Sequence, residues 1–101
     1  MKAPRLQLSP LAEEDLVEIG DYISEDNPLR ARTFILELHE FLSKVAASPF
    51  VGRPRDDVRK GLRSVPFVGY RYTIYYRVLP RSGGIKVERV LHGARDFSRL
   101  F

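Results

Sequence analysis

Apolar residues recur at Ala12, Leu16, Ile19 and Ile23, the i, i+4, i+7, i+11 spacing of one helical face. Glu13, Glu14, Glu18, Asp21 and Glu25 fall on the other side, which reads as a solvated acidic face. Ser9-Pro10 opens this helix: serine accepts from an orphan amide, and proline suits the first helical position. Asn27-Pro28 repeats the signal, ending one helix and starting another. Ala31, Phe34, Ile35, Leu38, Phe41, Leu42 and Val45 then follow the helical period closely, the strongest periodic signal in the chain, until Ser48-Pro49 stops it. So short a link predicts an antiparallel αα-hairpin whose Phe and Leu stripe is core.

The period then changes. Arg5 to Leu8 predicts a short first strand, and residues 49–61 predict a loop rich in turn-formers and bases. Leu62 to Phe67 contains Pro66 and predicts an edge strand or one that ends early. Between Tyr70 and Leu79, Tyr72, Ile74, Tyr76 and Val78 share one face, and Arg71, Thr73, Tyr75 and Arg77 the other. After a turn at Pro80 to Gly84, Ile85 to His92 alternates imperfectly: Val90 falls opposite Ile85, Val87 and Leu91. A bulge, or burial of both faces in a central strand, accounts for that. Asp96 to Phe101 predicts a helical turn or a tail docking Phe97, Leu100 and Phe101. The order β-α-α-β-β-β predicts one α+β domain over residues 1–101: a short N-terminal strand and an αα-hairpin packed on a largely antiparallel sheet.

Charge adds a division. Residues 1–50 carry five bases and nine acids, a net of −4; residues 51–101 carry twelve bases and four acids, a net of +8. The second half is therefore expected to meet something negative: nucleic acid, an acidic protein segment, or the chain's own acidic helix. With no cysteine there is neither a disulfide framework nor a thiolate metal site. Met1 to Pro10 lacks a signal-like apolar stretch, and no apolar run approaches the roughly 20 residues that span a bilayer, so a cytoplasmic protein without membrane contact is expected.

Four segments together resemble a known family. In LSPLAEEDLVEIGDYI, residues Ser9, Pro10, Ala12, Asp15, Leu16, Ile19, Tyr22 and Ile23 match the opening of ParE-type toxins. In the loop, Pro49, Gly52, Arg53, Pro54, Arg59, Gly61, Leu62 and Arg63 are similar to the family pattern, as are Ile74, Tyr76, Arg77 and Val78 in the sheet. The ending from Ile85 to Asp96 is the most specific piece. The resemblance implies membership of the RelE/ParE superfamily of type II toxin–antitoxin pairs, whose fold agrees with the derived order. It also implies a toxin that inhibits DNA gyrase and is neutralised by a ParD-like antitoxin, with no enzymatic activity, no cofactor and no sequence-specific DNA binding of its own. RelE-type members of the superfamily instead cleave mRNA on the ribosome, which is the alternative.

Metal-free RNA cleavage needs a base for the 2′-hydroxyl, an acid for the leaving oxygen and cations for the transition-state charge. The candidates on that alternative are His92, Arg59, Arg63, Arg77 and Arg95. Of these, only a histidine side chain is by type suited to exchange a proton near neutral pH, because arginine stays protonated. The residues after the last predicted strand hold no tyrosine of the kind RelE-type sites use, and the loop offers one lysine, Lys60. The non-catalytic reading is therefore preferred, with Arg53, Arg59, Arg63, Arg71, Arg77 and Arg95 as candidate partner-binding residues. His39 has no ligand-spaced neighbour and reads as a surface or packing residue. Asp56-Asp57 is expected to pair with the adjacent arginines, and the tyrosines around Arg71 and Arg77 to pack rather than stack bases. Arg89, on an apolar strand face, needs an acid, either Asp96 or one on the helices.

Overall fold

The computed structural model describes residues 4–67, 71–81 and 83–93. The elements in chain order are β1 (Arg5–Leu8), α1 (Pro10–Asp26), α2 (Pro28–Ala47), β2 (Arg53–Pro54), β3 (Leu62–Phe67), β4 (Tyr72–Val78) and β5 (Gly84–His92). The strands form one sheet in the order β1-β5-β4-β3-β2, with β1 parallel to β5 and every other pair antiparallel. This is the expected α+β arrangement. One strand is added: residues 53–54, expected within a loop, pair with Ser64 and Arg63. Pro54 and Pro66 both lack an amide hydrogen, so this short edge offers few donors to another chain. The expected tail contacts of Phe97, Leu100 and Phe101 lie outside the described residues, as do Tyr70, Arg95 and Asp96.

Both helix starts work as the sequence predicts. The Ser9 hydroxyl accepts from the Ala12 amide at 3.0 Å. The Asn27 side chain accepts from the Arg30 amide at 3.0 Å, while its own amide donates to the Ile23 carbonyl at 2.9 Å, so one residue closes α1 and opens α2. The helical hairpin lies on one face of the sheet. Phe34, Leu38, Leu42 and Val45 of α2 meet Phe67, Tyr72, Ile74, Tyr76, Ile85, Val87 and Val90 from the strands. Phe34 sits edge-on to Phe67 and Tyr72, with ring centroids 5.7 and 5.3 Å away. Leu16, Ile19 and Ile23 of α1 are half-buried against the same core. Ile35 is exposed, against expectation: at 37% it lies at the margin of the α2 stripe, where the 100° step per residue carries a side chain off the packed face.

The irregular alternation of β5 is a bulge. Tyr75 pairs with Arg89 and Tyr76 with Val87, which leaves Glu88 as the extra residue. The slip returns Val90 to the helix-side core with Ile85 and Val87, and puts Leu91 on the opposite face with Leu62 and Tyr75. β1 ends at Leu8, so its pairing with β5 stops at Val87. From there the start of α1 takes over the free edge. The Ser9 amide donates to the Val87 carbonyl at 2.8 Å, and the Ser9 hydroxyl donates to the Glu88 carbonyl at 2.7 Å. The Asp15 carboxylate accepts from the Val90 amide at 3.0 Å and holds Arg89 by two contacts of 2.8 Å. Gly84 starts β5 at φ +99°, where a Cβ would collide with the backbone of Arg5.

Candidate functional site

Six basic residues of the second half, Arg53, Arg55, Arg59, Lys60, Arg63 and Arg77, lie on β2, β3, the end of β4 and the loop 55–61. That loop folds over the sheet face turned away from the helices. Val58 packs on Leu62, Tyr75 and Leu91, and Arg55 reaches the Tyr75 hydroxyl at 3.4 Å and Asp57 at 3.1 Å. The Asp56 carboxylate accepts from the Gly61 amide at 2.8 Å, so the acid pair is used locally, one member with an arginine and one with the backbone. Hydrogen bonding to Arg55 holds the Asp57 carboxyl below its ordinary range.

Four of the candidate arginines belong to this region. Arg53 is exposed on β2, and Arg59 is exposed in the loop. Arg63 is half-buried on β3 and donates to the carbonyls of Gly52 at 2.6 Å and Phe50 at 3.3 Å. Arg77 is half-buried on β4, donates to the Lys60 carbonyl at 2.7 Å and faces Glu88 at 3.4 Å. Two of the four therefore hold loop carbonyls in place, which fixes their guanidinium groups as structural staples. Burial raises the phenols of Tyr72, Tyr75 and Tyr76 above their ordinary value, so these tyrosines stay protonated and pack, as expected.

His92 and Arg71 lie at the other end of β4. His92 pairs with Tyr72, and the Gly93 amide donates to the Arg71 carbonyl at 2.8 Å. Leu62 pairs with Arg77 and Arg63 with Tyr76, so Arg77 stands five positions along the strand from the His92 pairing and Arg63 four. At about 3.3 Å per residue the backbones are roughly 13–16 Å apart. His92 is exposed, stacks edge-on against Tyr72 at 5.1 Å and borders a cleft of about 400 Å³ that also involves Glu18 and Tyr22. The structure thus gathers Arg53, Arg59, Arg63 and Arg77 at one end and leaves His92 and Arg71 at the other; Arg95 lies outside the described residues.

The expected acid partner of Arg89 is one on the helices, Asp15, and two features were not specified by the sequence reading. Asp15 is an anchor for β5 as well as an early-turn acid on α1; the signal for it was the unpaired look of Arg89. Phe50 and Val51, two apolar residues between turn-formers, are exposed beside Arg63. His39 is exposed on α2, as expected. Among the described residues, no cluster of His, Asp and Glu could hold a metal ion, and no helix is long and apolar enough to cross a membrane.

Comparison with known proteins follows the same outline. A family model for the ParE toxin of the type II toxin–antitoxin system parDE matches residues 6–97. Toxin ParE1 of Mycobacterium tuberculosis, found in two strains, is 35% identical over 96 residues, covering 94% of this chain and 95% of the relative. A solved chain of the chromosomal ParDE system from P. aeruginosa superposes with a TM-score of 0.74 at 20% identity, over 91% of this chain and 98% of that one. A chain of the intact E. coli RelBE toxin–antitoxin complex gives a TM-score of 0.63 at 18% identity, over 92% and 100%. At these identities the two solved chains share the fold with this one.

Proposed function

Because the chain belongs to the ParE toxin family of type II toxin–antitoxin systems, we propose that it inhibits DNA gyrase through a protein surface, without cleaving RNA, and that a ParD-like antitoxin neutralises it. One observation carries the non-catalytic reading: the one histidine among the candidate residues, His92, is separated along β4 from Arg63 and Arg77, which would have to share a phosphate with it. General acid–base catalysis needs its groups within about 3 Å of the reacting atoms. Arg63 and Arg77 cannot leave their carbonyl partners for such a site without releasing the loops they hold. The RelE-like alternative, a ribosome-dependent endoribonuclease using His92, Arg59, Arg63, Arg77 and Arg95, lacks this convergence for its described members.

The test is His92→Gln expressed in cells without antitoxin. Glutamine keeps a polar donor and acceptor at the strand end, so growth arrest should match that of the native chain. Were His92 an acid or base, its loss would cost about 10²- to 10⁴-fold in cleavage. A variant with a native circular dichroism spectrum and no toxicity would return the ribonuclease reading to first place.

The antitoxin part rests on the basic end of the sheet. An acidic amphipathic segment that folds on the toxin would be steered by the +8 balance of residues 51–101. Arg63 is unsuited to a charge-reversal test because its guanidinium supports the loop; Arg53 and Arg59 are exposed. The double change Arg53→Glu with Arg59→Glu should slow antitoxin association by roughly tenfold or more at low salt and flatten its salt dependence. Unchanged association rates across a salt series would remove the basic end from the antitoxin surface.

A further inference from the structure

Phe50 and Val51 are 68% and 64% exposed and adjacent in the chain, in the turn that follows α2. Among the described residues, the other exposed large apolar ones all lie on the helices, Leu11, Val17 and Tyr22 on α1 and Leu29, Ile35 and Leu36 on α2. The 49–52 turn is different because its backbone is fixed from beneath. Tyr76, fully buried, donates its hydroxyl hydrogen to the Pro49 carbonyl at 2.7 Å and accepts from the Gly52 amide at 2.8 Å. Position 52 admits only glycine there, since a Cβ would lie 2.7 Å from Tyr76 Cε1. The Val51 amide donates to the Ser48 carbonyl at 3.0 Å. From the outer side, Arg63 donates to the carbonyls of Phe50 and Gly52, and its guanidinium carbon sits 5.0 Å from the centroid of the Phe50 ring.

A core tyrosine and a strand arginine are thus committed to holding two apolar side chains in water. Such an arrangement has already lost the loop entropy that binding would otherwise remove, and it presents an aromatic ring with an arginine across it, the residue types that dominate interface energetics. The charge around it selects the partner. Arg63 lies on the ring and Arg53 is exposed on the next strand residues, within a half-chain of net +8. A matching segment carries apolar side chains for Phe50 and Val51 and carboxylates for Arg53 and Arg63. We propose that the Phe50–Val51 turn is the apolar anchor on which an acidic, amphipathic segment of the antitoxin docks, an inference that rests on the antitoxin reading above.

The experiment measures binding of the purified antitoxin encoded with this chain to four forms of the full chain: native, Phe50→Ala with Val51→Ala, Val51→Glu, and Leu36→Ala as an exposed apolar control on α2. Truncation of the anchor should weaken binding by roughly 30- to 1,000-fold, chiefly through faster dissociation. Val51→Glu should lose a comparable factor by setting like charge against the acidic segment, and it covers the case in which the double variant folds poorly. Leu36→Ala should bind within about twofold of native, as expected for a near-neutral site. Native affinity in the anchor variants overturns the proposal while leaving the antitoxin reading intact. Absence of any binding by the native chain removes both. If the variants keep antitoxin affinity and lose gyrase inhibition or self-association instead, the turn belongs to that other interface and the proposal fails.

Discussion

Replacing Asp15 with alanine is expected to lower the midpoint of thermal unfolding by roughly 12–40 °C. The figure follows from about 3–5 kcal/mol for breaking a buried ion pair and about 4–8 °C per kcal/mol in a domain of this size. Asp15 and Arg89 are buried together, with side chains 8% and 12% exposed. Hydrogen bonding to Asp15 raises the Arg89 guanidinium above its ordinary value, assisted by the charges of Asp15, Glu18 and Glu14. Without the carboxylate, Arg89 keeps its charge in a desolvated position and the Val90 amide loses its acceptor. The loss falls where β1 no longer pairs and only α1 covers that edge of β5, so the bulge at Glu88 should loosen with it. Because a domain this small has about 5–15 kcal/mol in total, this one change removes much of its stability.

A second variant separates the lost pair from lost packing. Asp15→Leu with Arg89→Met removes both charges and should melt clearly above Asp15→Ala, since buried pairs are often replaceable by apolar side chains of similar volume. Recovery should be incomplete, because the Val90 amide still lacks a partner. If the double variant melts no higher than Asp15→Ala, the loss of Asp15 as partner to the Arg89 charge is not the source of the instability.

Much of this fold was legible because its punctuation is chemical. Ser9-Pro10 and Asn27-Pro28 mark both helix starts, and the structure begins α1 at Pro10 and α2 at Pro28. The 3.6-residue period of α2 is clean because one side faces the sheet and the other faces water. The 53–54 strand was illegible: two residues carry no period, and their pairing is set by the loop and by Arg63 rather than by propensity. The β5 irregularity showed in the sequence as a break in alternation, but its resolution into a bulge at Glu88 depends on how Ser9 and Asp15 satisfy the free edge. Arg89 signalled a partner without naming it, because Asp15 is 74 residues away in the chain.

The candidate site was legible as a charge and obscure as a geometry. The +8 half announces cations. It does not reveal that Arg63 and Arg77 are bound to loop carbonyls, or that His92 stands at the far end of β4. Those facts arise from strand register, which composition does not encode. Phe50 and Val51 were passed over for a related reason: apolar residues in a loop are usually read as covered, and exposure there depends on the Tyr76 and Arg63 contacts that hold the turn.

The second large effect concerns what the toxin does to its target. A ribonuclease of this fold would cut translated message at codon-dependent positions, with about 10²- to 10⁴-fold of its rate resting on one proton-transfer group. A protein-surface inhibitor has no such group, and its effect should saturate with binding to gyrase and survive His92→Gln. The separation of His92 from Arg63 and Arg77 along β4 favours the second course. The most direct measurement sets the purified chain against supercoiling gyrase and against a translating ribosome, side by side, with gyrase–DNA cleavage complexes read on gels and message integrity read by primer extension. The account predicts accumulated cleavage complexes and intact message; codon-positioned cuts with gyrase unaffected would contradict it.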